Sequence, residues 1–368
     1  MNSDALPQVL FYDPLCREPY DLSTLRERAS GGTEASVTRI ADALGACVAQ
    51  HNRTEDNGNY RRPERIAGIE QVVVVRESRA LPMLRELYPR ARFYLWVHDQ
   101  MNPGSKRARR LASTAHLLRA LDVKVICVSN TQRQRVEATL AGIGVADCVT
   151  ARTIYNPVAD ELKPDGGPVD ADKLVFFSSP NKGLAYALDV FGALHRRIPS
   201  LRLLVGNPAY KRGRAGGRDG VEYLGPQPQT RIHASVRGAL CTFAPNFVLP
   251  ETFGLVYAES KALGTPVLAH DCGAAAEVIG DPRQVLPVRP GYRGYEAAVH
   301  SLPSAWRRGP ARLADRLGLF DAYHERIAAW RSGERPQVGP DPRFALASVA
   351  AQWRALLQAA PDGIARAP

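Results

Sequence analysis

KLVFFSSPNKGLAYALDVFGALHRR (173–197) sets the architecture. An unbroken apolar run is followed by a polar turn ending in Lys182-Gly183, and then by apolar residues at the three- and four-residue spacing of a helix. A strand that is apolar throughout needs cover on both faces, as in parallel sheets flanked by helices. The strand–turn–helix order is half of a βαβ unit.

The same unit recurs on both sides. Upstream, strands are predicted at 8–13, 46–52, 71–77, 92–99, 123–130 and 149–157, with helices at 33–44, 80–88, 105–121 and 131–142. Pro157 and the polar ADELKPDGGPVDAD (159–172) read as a linker. Downstream, strands follow at 173–179, 201–206, 221–225, 239–245 and 265–271, with helices at 183–197, 229–237, 252–263 and 274–279. The basic, glycine-rich NPAYKRGRAGGRDG (207–220) reads as a mobile surface loop. The fold class is therefore α/β, with two doubly wound domains joined near residue 160. At 368 residues the chain has the length for two such cores.

Composition narrows the function. Hydrophobic residues are 45% and charged residues 23%, a globular balance. Nothing reaches the run of about 18 apolar residues that a membrane-spanning helix needs. The N-terminus MNSDALPQVLFYD lacks a secretory-signal pattern, so a cytoplasmic protein is expected. The six cysteines show no CxxC or metal-finger spacing and are expected to be reduced, mostly buried thiols, with no metal. A net charge of +11 implies an anionic partner: nucleic acid, membrane phospholipid or a phosphorylated small molecule. Nucleic acid is disfavoured because no basic stretch is interleaved with aromatic residues.

In open α/β sheets, ligands sit beyond the carboxyl ends of the strands, and candidate residues cluster there. Gly31-Gly32 precedes a helix, where adjacent glycines allow close backbone approach to an anion. His98-Asp99 ends one strand. Ser178, Ser179 and Lys182 end another, with the lysine placed to neutralise a diphosphate. In PETFGLVYAE (250–259), a helix starting at Thr252 or Phe253 would aim unpaired amides around Phe253-Gly254-Leu255 at an anion, with Gly254 leaving room. Glu251 and Glu259 would accept hydrogen bonds from sugar hydroxyls at the two ends of a nucleotide-sized ligand.

E-x-F-G-x-x-x-x-E, followed by KALGTPVLA and CGAAAEVI, resembles the retaining glycosyltransferases of family 4. The likeness extends to Gly31-Gly32, His98-Asp99, TIYNPV (153–158), Lys182-Gly183 and VEYLGP. It implies the GT-B fold, with two Rossmann-like domains facing across a cleft. The acceptor domain would be 1–158, the nucleotide-sugar domain 159–342, and a C-terminal helix at 343–360 would pack back on the first. It implies metal-independent, cofactor-free hexosyl transfer from a UDP- or GDP-sugar to a glycan or lipid-linked acceptor. As the resemblance has it, Glu251 contacts the donor sugar, His98 lies near the transferring sugar, and Lys182 holds the diphosphate. Thr252, Phe253, Gly254, Leu255 and Val256 line phosphate and sugar, Glu259 takes the ribose, and Gly31-Gly32 covers the phosphates. The sequence departs from the family in one respect. An arginine is usual five or six residues before the lysine, and here Phe177 and Phe176 stand there, leaving Ser178, Ser179 or another arginine to replace it. That departure is the one feature favouring the alternative, a non-catalytic binding module.

Two further expectations concern helices. SKRARRLASTAHLLRAL (105–121) is predicted as one helix whose Lys106, Arg107, Arg109 and Arg110 meet anionic lipid. RFALASVAAQWRALLQAA (343–360) is predicted to be amphipathic, with Trp353 on its apolar face. Glu251 and Glu259 are expected in an open cleft.

Overall fold

The computed structural model describes residues 8–28, 30–207, 217–303 and 305–359. The basic loop at 207–220 therefore lies mostly outside the described residues. Contacts divide the chain into two compact units. The first holds the chain up to Asp21, Thr33–Ala159 and everything from Pro342; the second holds Leu22–Gly32 and Asp160–Asp341. The short segment Leu22–Gly32, assigned by sequence to the first domain, thus belongs with the second.

In the first unit the strands are β1 (Val9–Asp13), β2 (Cys47–Gln50), β3 (Tyr60–Arg61), β4 (Gln71–Val75), β5 (Arg92–Val97), β6 (Lys124–Cys127) and β7 (Ala151–Thr153). They form one sheet in the order β3-β2-β1-β4-β5-β6-β7, with every pairing parallel. Val72 to Val75 are 0% exposed, as a strand covered on both faces requires. The second unit holds β8 (Asp170–Phe176), β9 (Arg202–Asn207), β10 (Val221–Pro226), β11 (Ala239–Ala244), β12 (Val267–His270) and β13 (Val285–Leu286). Their order is β10-β9-β8-β11-β12-β13, again parallel. The two-residue strands β3 and β13 are too short to carry a sequence pattern.

Each sheet reverses its winding once. In the first unit the reversal falls between β1 and β4, in the second between β8 and β11. In open α/β sheets ligands bind at the carboxyl edge where the winding reverses.

The predicted helix at 105–121 is two helices, Lys106–Ala112 and Ala115–Ala120. The break follows from hydroxyl side chains that bond locally. Ser113 donates to the Arg110 carbonyl at 2.7 Å, and Thr114 donates to the Leu111 carbonyl at 3.0 Å and meets Ser78 Oγ at 2.7 Å. The helix Leu346–Gln358 lies in the first unit. Its Trp353 packs edge-on against Phe11 and Trp96, with centroids 5.6 and 5.0 Å apart. Gln71 Nε2 donates to the Leu357 carbonyl at 2.6 Å. All six cysteines are free thiols. Among the described residues no helix is long and apolar enough to cross a membrane.

Candidate active site

The second unit's crevice is built from the exits of β8, β11 and β12. After β8, the chain turns tightly, the Lys182 amide donating to the Ser179 carbonyl at 2.8 Å. Ser178 and Ser179 are buried, at 8% and 5% exposure. Gly183 then takes φ +88° and begins the helix Leu184–Arg197 without a side-chain cap. A Cβ on Gly183 would lie 3.3 Å from Asn246 Oδ1, so this turn packs directly on the loop leaving β11.

Asn246 organises that second loop. Its Oδ1 accepts from the amides of Val248 and Leu249 at 3.1 and 3.2 Å, and its Nδ2 donates to the Leu249 carbonyl at 2.6 Å. The loop delivers Glu251 against the β12 exit, where the Ala274 amide donates to the Glu251 carbonyl at 3.0 Å. A Cβ on Gly273, at φ +67°, would fall 2.3 Å from that carbonyl oxygen. Only glycine lets the two backbones come this close.

Because Glu251 is held extended against Gly273, the helix starts at Leu255 rather than at Thr252 or Phe253. Gly254 makes the turn at φ +86°, where a Cβ would meet Tyr257 Cδ2 at 2.4 Å. The helix Leu255–Ala262 has no side-chain cap. Phe253 is 1% exposed and packs inward, while Thr252, Leu255 and Val256 are half-buried. Thr242 and Ser260 hydroxyls, 2.6 Å apart, tie the helix to β11.

Across the winding reversal, Lys182 Nζ donates to Glu251 Oε2 at 2.6 Å. The lysine side chain is 31% exposed and the carboxylate 7%. Two turns on, Glu259 is 5% exposed, with His233 Nε2 3.4 Å from its Oε2. Both glutamates are buried, not standing in open solvent as expected. Gly32 joins this assembly, since a Cβ there would lie 3.1 Å from Leu255 Cδ1. Phe176 and Phe177 are 1% and 9% exposed and offer no polar atom to a ligand.

The first unit carries its own acid–base pair at the corresponding place. Asp13 ends β1 and is wholly buried, and Arg76 follows β4 in a left-handed conformation, φ +69°. One guanidinium nitrogen lies 2.8 and 2.6 Å from the two Asp13 oxygens, and Glu34 is 3.6 Å away. Tyr20 donates to Asp13 at 3.1 Å. His98, beyond β5, tilts over Trp96 with centroids 4.4 Å apart. Burial, reinforced by the Arg76 charge, pushes its imidazole well below the ordinary range and keeps it neutral. Asp99 turns away to Arg107 at 2.7 Å. Sequence reading placed Lys182 and Glu251 at one site and missed Asn246, His233 and Gly273. Of these, only Gly273 left a trace, in the CGAAAEVI stretch. Among the described residues no group of three or more His, Cys, Asp or Glu side chains is placed to hold a metal ion.

Solved structures share this architecture. Anabaena HepE, solved with UDP and glucose, covers 95% of this chain and 99% of its own, with a TM-score of 0.59 at 17% identity. Sucrose-phosphate synthase from Thermosynechococcus elongatus covers 95% and 98%, with a TM-score of 0.58 at 18% identity. The fold is GT-B. Within that GT-B chain, residues 160–291 match the family described as glycosyl transferases group 1. The matched segment contains Lys182, His233, Glu251, Gly254, Glu259 and Gly273. A phosphatidyl-myo-inositol mannosyltransferase of Mycobacterium tuberculosis is 31% identical over 141 residues, 36% of this chain and 37% of that relative. A D-inositol 3-phosphate glycosyltransferase of Corynebacterium glutamicum is 31% identical over 289 residues, 70% of this chain and 65% of that relative. The chain thus matches just over a third of the mycobacterial protein's length.

Proposed function

We propose that this GT-B chain is a retaining, metal-independent glycosyltransferase that moves a hexose from a UDP- or GDP-sugar to a glycan or lipid-linked acceptor in the cytoplasm. The Lys182–Glu251 pair across the β8/β11 reversal, beside the uncapped start of the helix Leu255–Ala262, carries the reading. A diphosphate at that helix start meets the positive end of the helix dipole. Lys182 gains a second anion and leaves a Glu251 oxygen for the sugar hydroxyls. Glu259 and His233 take the ribose. Gly32, packed on Leu255, brings backbone close to the phosphates, with Ser178 and Ser179 supplying neutral donors in place of the family's arginine. On the first unit, the neutral His98 is the candidate for contact with hydroxyls of the transferring sugar.

The similarity of 160–291 to glycosyl transferases, and the UDP and glucose bound to HepE, support a nucleoside-diphosphate hexose donor. The name of the phosphatidyl-myo-inositol mannosyltransferase relative supports a lipid-linked acceptor. The chemistry rests on stabilising the departing diphosphate and an oxocarbenium-like sugar.

Thermal shift against UDP, GDP and their hexose conjugates tests the donor. A ligand at a hundred times its Kd stabilises by about 2.7 kcal/mol. The matching conjugate should then turn over with EDTA present and give a product of retained anomeric configuration. Nucleotide binding with no transfer to any acceptor and no donor hydrolysis would instead mark a non-catalytic module.

A further inference from the structure

The three most exposed large apolar side chains among the described residues lie on the helix Arg308–Arg316 or within two residues of its ends: Trp306 at 72%, Leu313 at 59% and Leu317 at 76%. The turn at Trp306 leads directly into the helix Arg308–Arg316, with the Ala311 amide donating to the Arg307 carbonyl at 2.9 Å. At about 100° per residue, positions 306, 313 and 317 form one stripe roughly 16 Å long. Arg308, Arg312 and Arg316 recur every four residues and form a second, exposed stripe about a third of the way round the helix, with Arg308 donating to the Gly217 carbonyl at 2.9 Å. The helix's single acid, Asp315, faces inward and is held by Arg196 at 2.6 Å and Arg197 at 2.9 Å. Arg307 anchors the same inner side, bonding Asp189 at 2.7 Å and Glu296 at 2.6 Å. The outer face is therefore rigidly mounted, apolar along one line and purely cationic along another.

We propose that this face docks the protein on an anionic phospholipid surface. An exposed Trp/Leu stripe with arginines further round the same helix is the pattern of a helix lying in a membrane interface. The ring and leucines enter the headgroup–acyl boundary while the guanidinium groups stay at the phosphates. A second copy of the chain fits poorly, because a two-fold contact would oppose one arginine stripe to another. The sequence-predicted lipid face at 105–121 is less suited. Its Arg107 is paired with Asp99 at 2.7 Å and its Arg110 with Glu77 at 3.1 Å. The proposal is independent of the transfer reaction.

Trp306 supplies the probe. The other tryptophans, Trp96, Trp330 and Trp353, are 0%, 3% and 0% exposed, so an emission shift on adding vesicles reports Trp306. The full chain should sediment with vesicles of equal parts phosphatidylcholine and phosphatidylglycerol, shift its emission to the blue, and be quenched by brominated acyl chains. It should ignore phosphatidylcholine alone. Replacing Arg308, Arg312 and Arg316 with Gln should weaken binding roughly fivefold per residue, about two orders of magnitude together. Trp306→Ala with Leu317→Ser should abolish sedimentation. The nucleotide-dependent thermal shift should be unchanged in both variants, so lipid binding and donor binding are separate results. Equal binding to neutral vesicles, no binding to either, no quenching, or wild-type binding by the triple Gln variant would each overturn the proposal. So would concentration-dependent dimerisation that Trp306→Ala removes.

Discussion

Glu251 and Glu259 sit in the same loop–helix segment yet should respond differently to loss of charge. Glu251→Gln keeps the backbone contact with Gly273 but weakens the bond from Lys182, and it removes a charge proposed to lie beside the reacting sugar. Its loss should appear chiefly in kcat. Glu259→Gln changes a group proposed to hold a part of the donor that does not react, so donor KM should rise more than kcat falls. Each penalty is on the order of 1.5 to 3 kcal/mol. Because both side chains are buried, a modest fall in melting temperature should accompany each change, which an open site would not give. Steady-state kinetics with full activity in Glu251→Gln would remove the proposed chemistry. Gly254→Ala tests the turn itself. At φ +86°, with Tyr257 only 2.4 Å from the new methyl group, it should cost more than about 1 kcal/mol and weaken nucleotide binding in the thermal-shift assay. The loop that carries Glu251 and the Gly254 turn into the helix of Glu259 were legible because a glycine turn before a helix leaves a local sequence pattern. Asn246 and His233 were not, since each acts on residues brought near only by the sheet.

Elements were read well where their interiors are apolar on every face, as in β4 and β11, and poorly where side-chain hydroxyls compete with the backbone. The break between Ala112 and Ala115 is the example: the apolar spacing continues through Ser113 and Thr114, but their hydroxyls do not respect it. The helix Leu346–Gln358 shows the reverse case, where a strong 3–4 pattern finds its partners in β1 and β5, most of the chain away in sequence. Trp353 is wholly buried against Phe11 and Trp96. Trp353→Ala should therefore destabilise the first unit by about 3–5 kcal/mol, read as an earlier urea transition. The nucleotide-dependent thermal shift proposed for the second unit should survive. A single undisturbed transition would show that the helix contributes little to that core.

For the molecule as a whole, two buried imidazoles set a pH dependence. His270 Nδ1 meets the Leu286 carbonyl at 3.1 Å, while its Nε2 pairs with the Tyr323 hydroxyl. Burial holds its pKa at about 4, and His98 is also held well below 6.5. An unfolded chain binds these protons near pH 6.5, the native one only further down. The stabilisation is thus complete above pH 6.5 and is lost as pH falls below it, for His270 down to about 4, by up to about 1.4 kcal/mol per unit for each group. Urea unfolding between pH 7 and 4 should show that slope. His270→Asn should lower stability at neutral pH yet flatten the slope, and parallel curves would rule out its role. The sequence revealed two parallel sheets but not this coupling, because the histidine's partner Tyr323 lies beyond the last strand and helix read in the second domain.

The order in which the chain is made bears on its assembly. Once residue 341 has been synthesised, every part of the second unit exists, including the early segment Leu22–Gly32. The first unit, whose sheet precedes that of the second in the chain, still lacks the helix that covers Phe11 and Trp96. The unit whose sheet is made earlier is thus completed later, and while the second unit is being made that sheet carries uncovered aromatic residues. Nascent chains stalled before residue 346 should recruit chaperones through those residues, and release of the final helix should end the dependence.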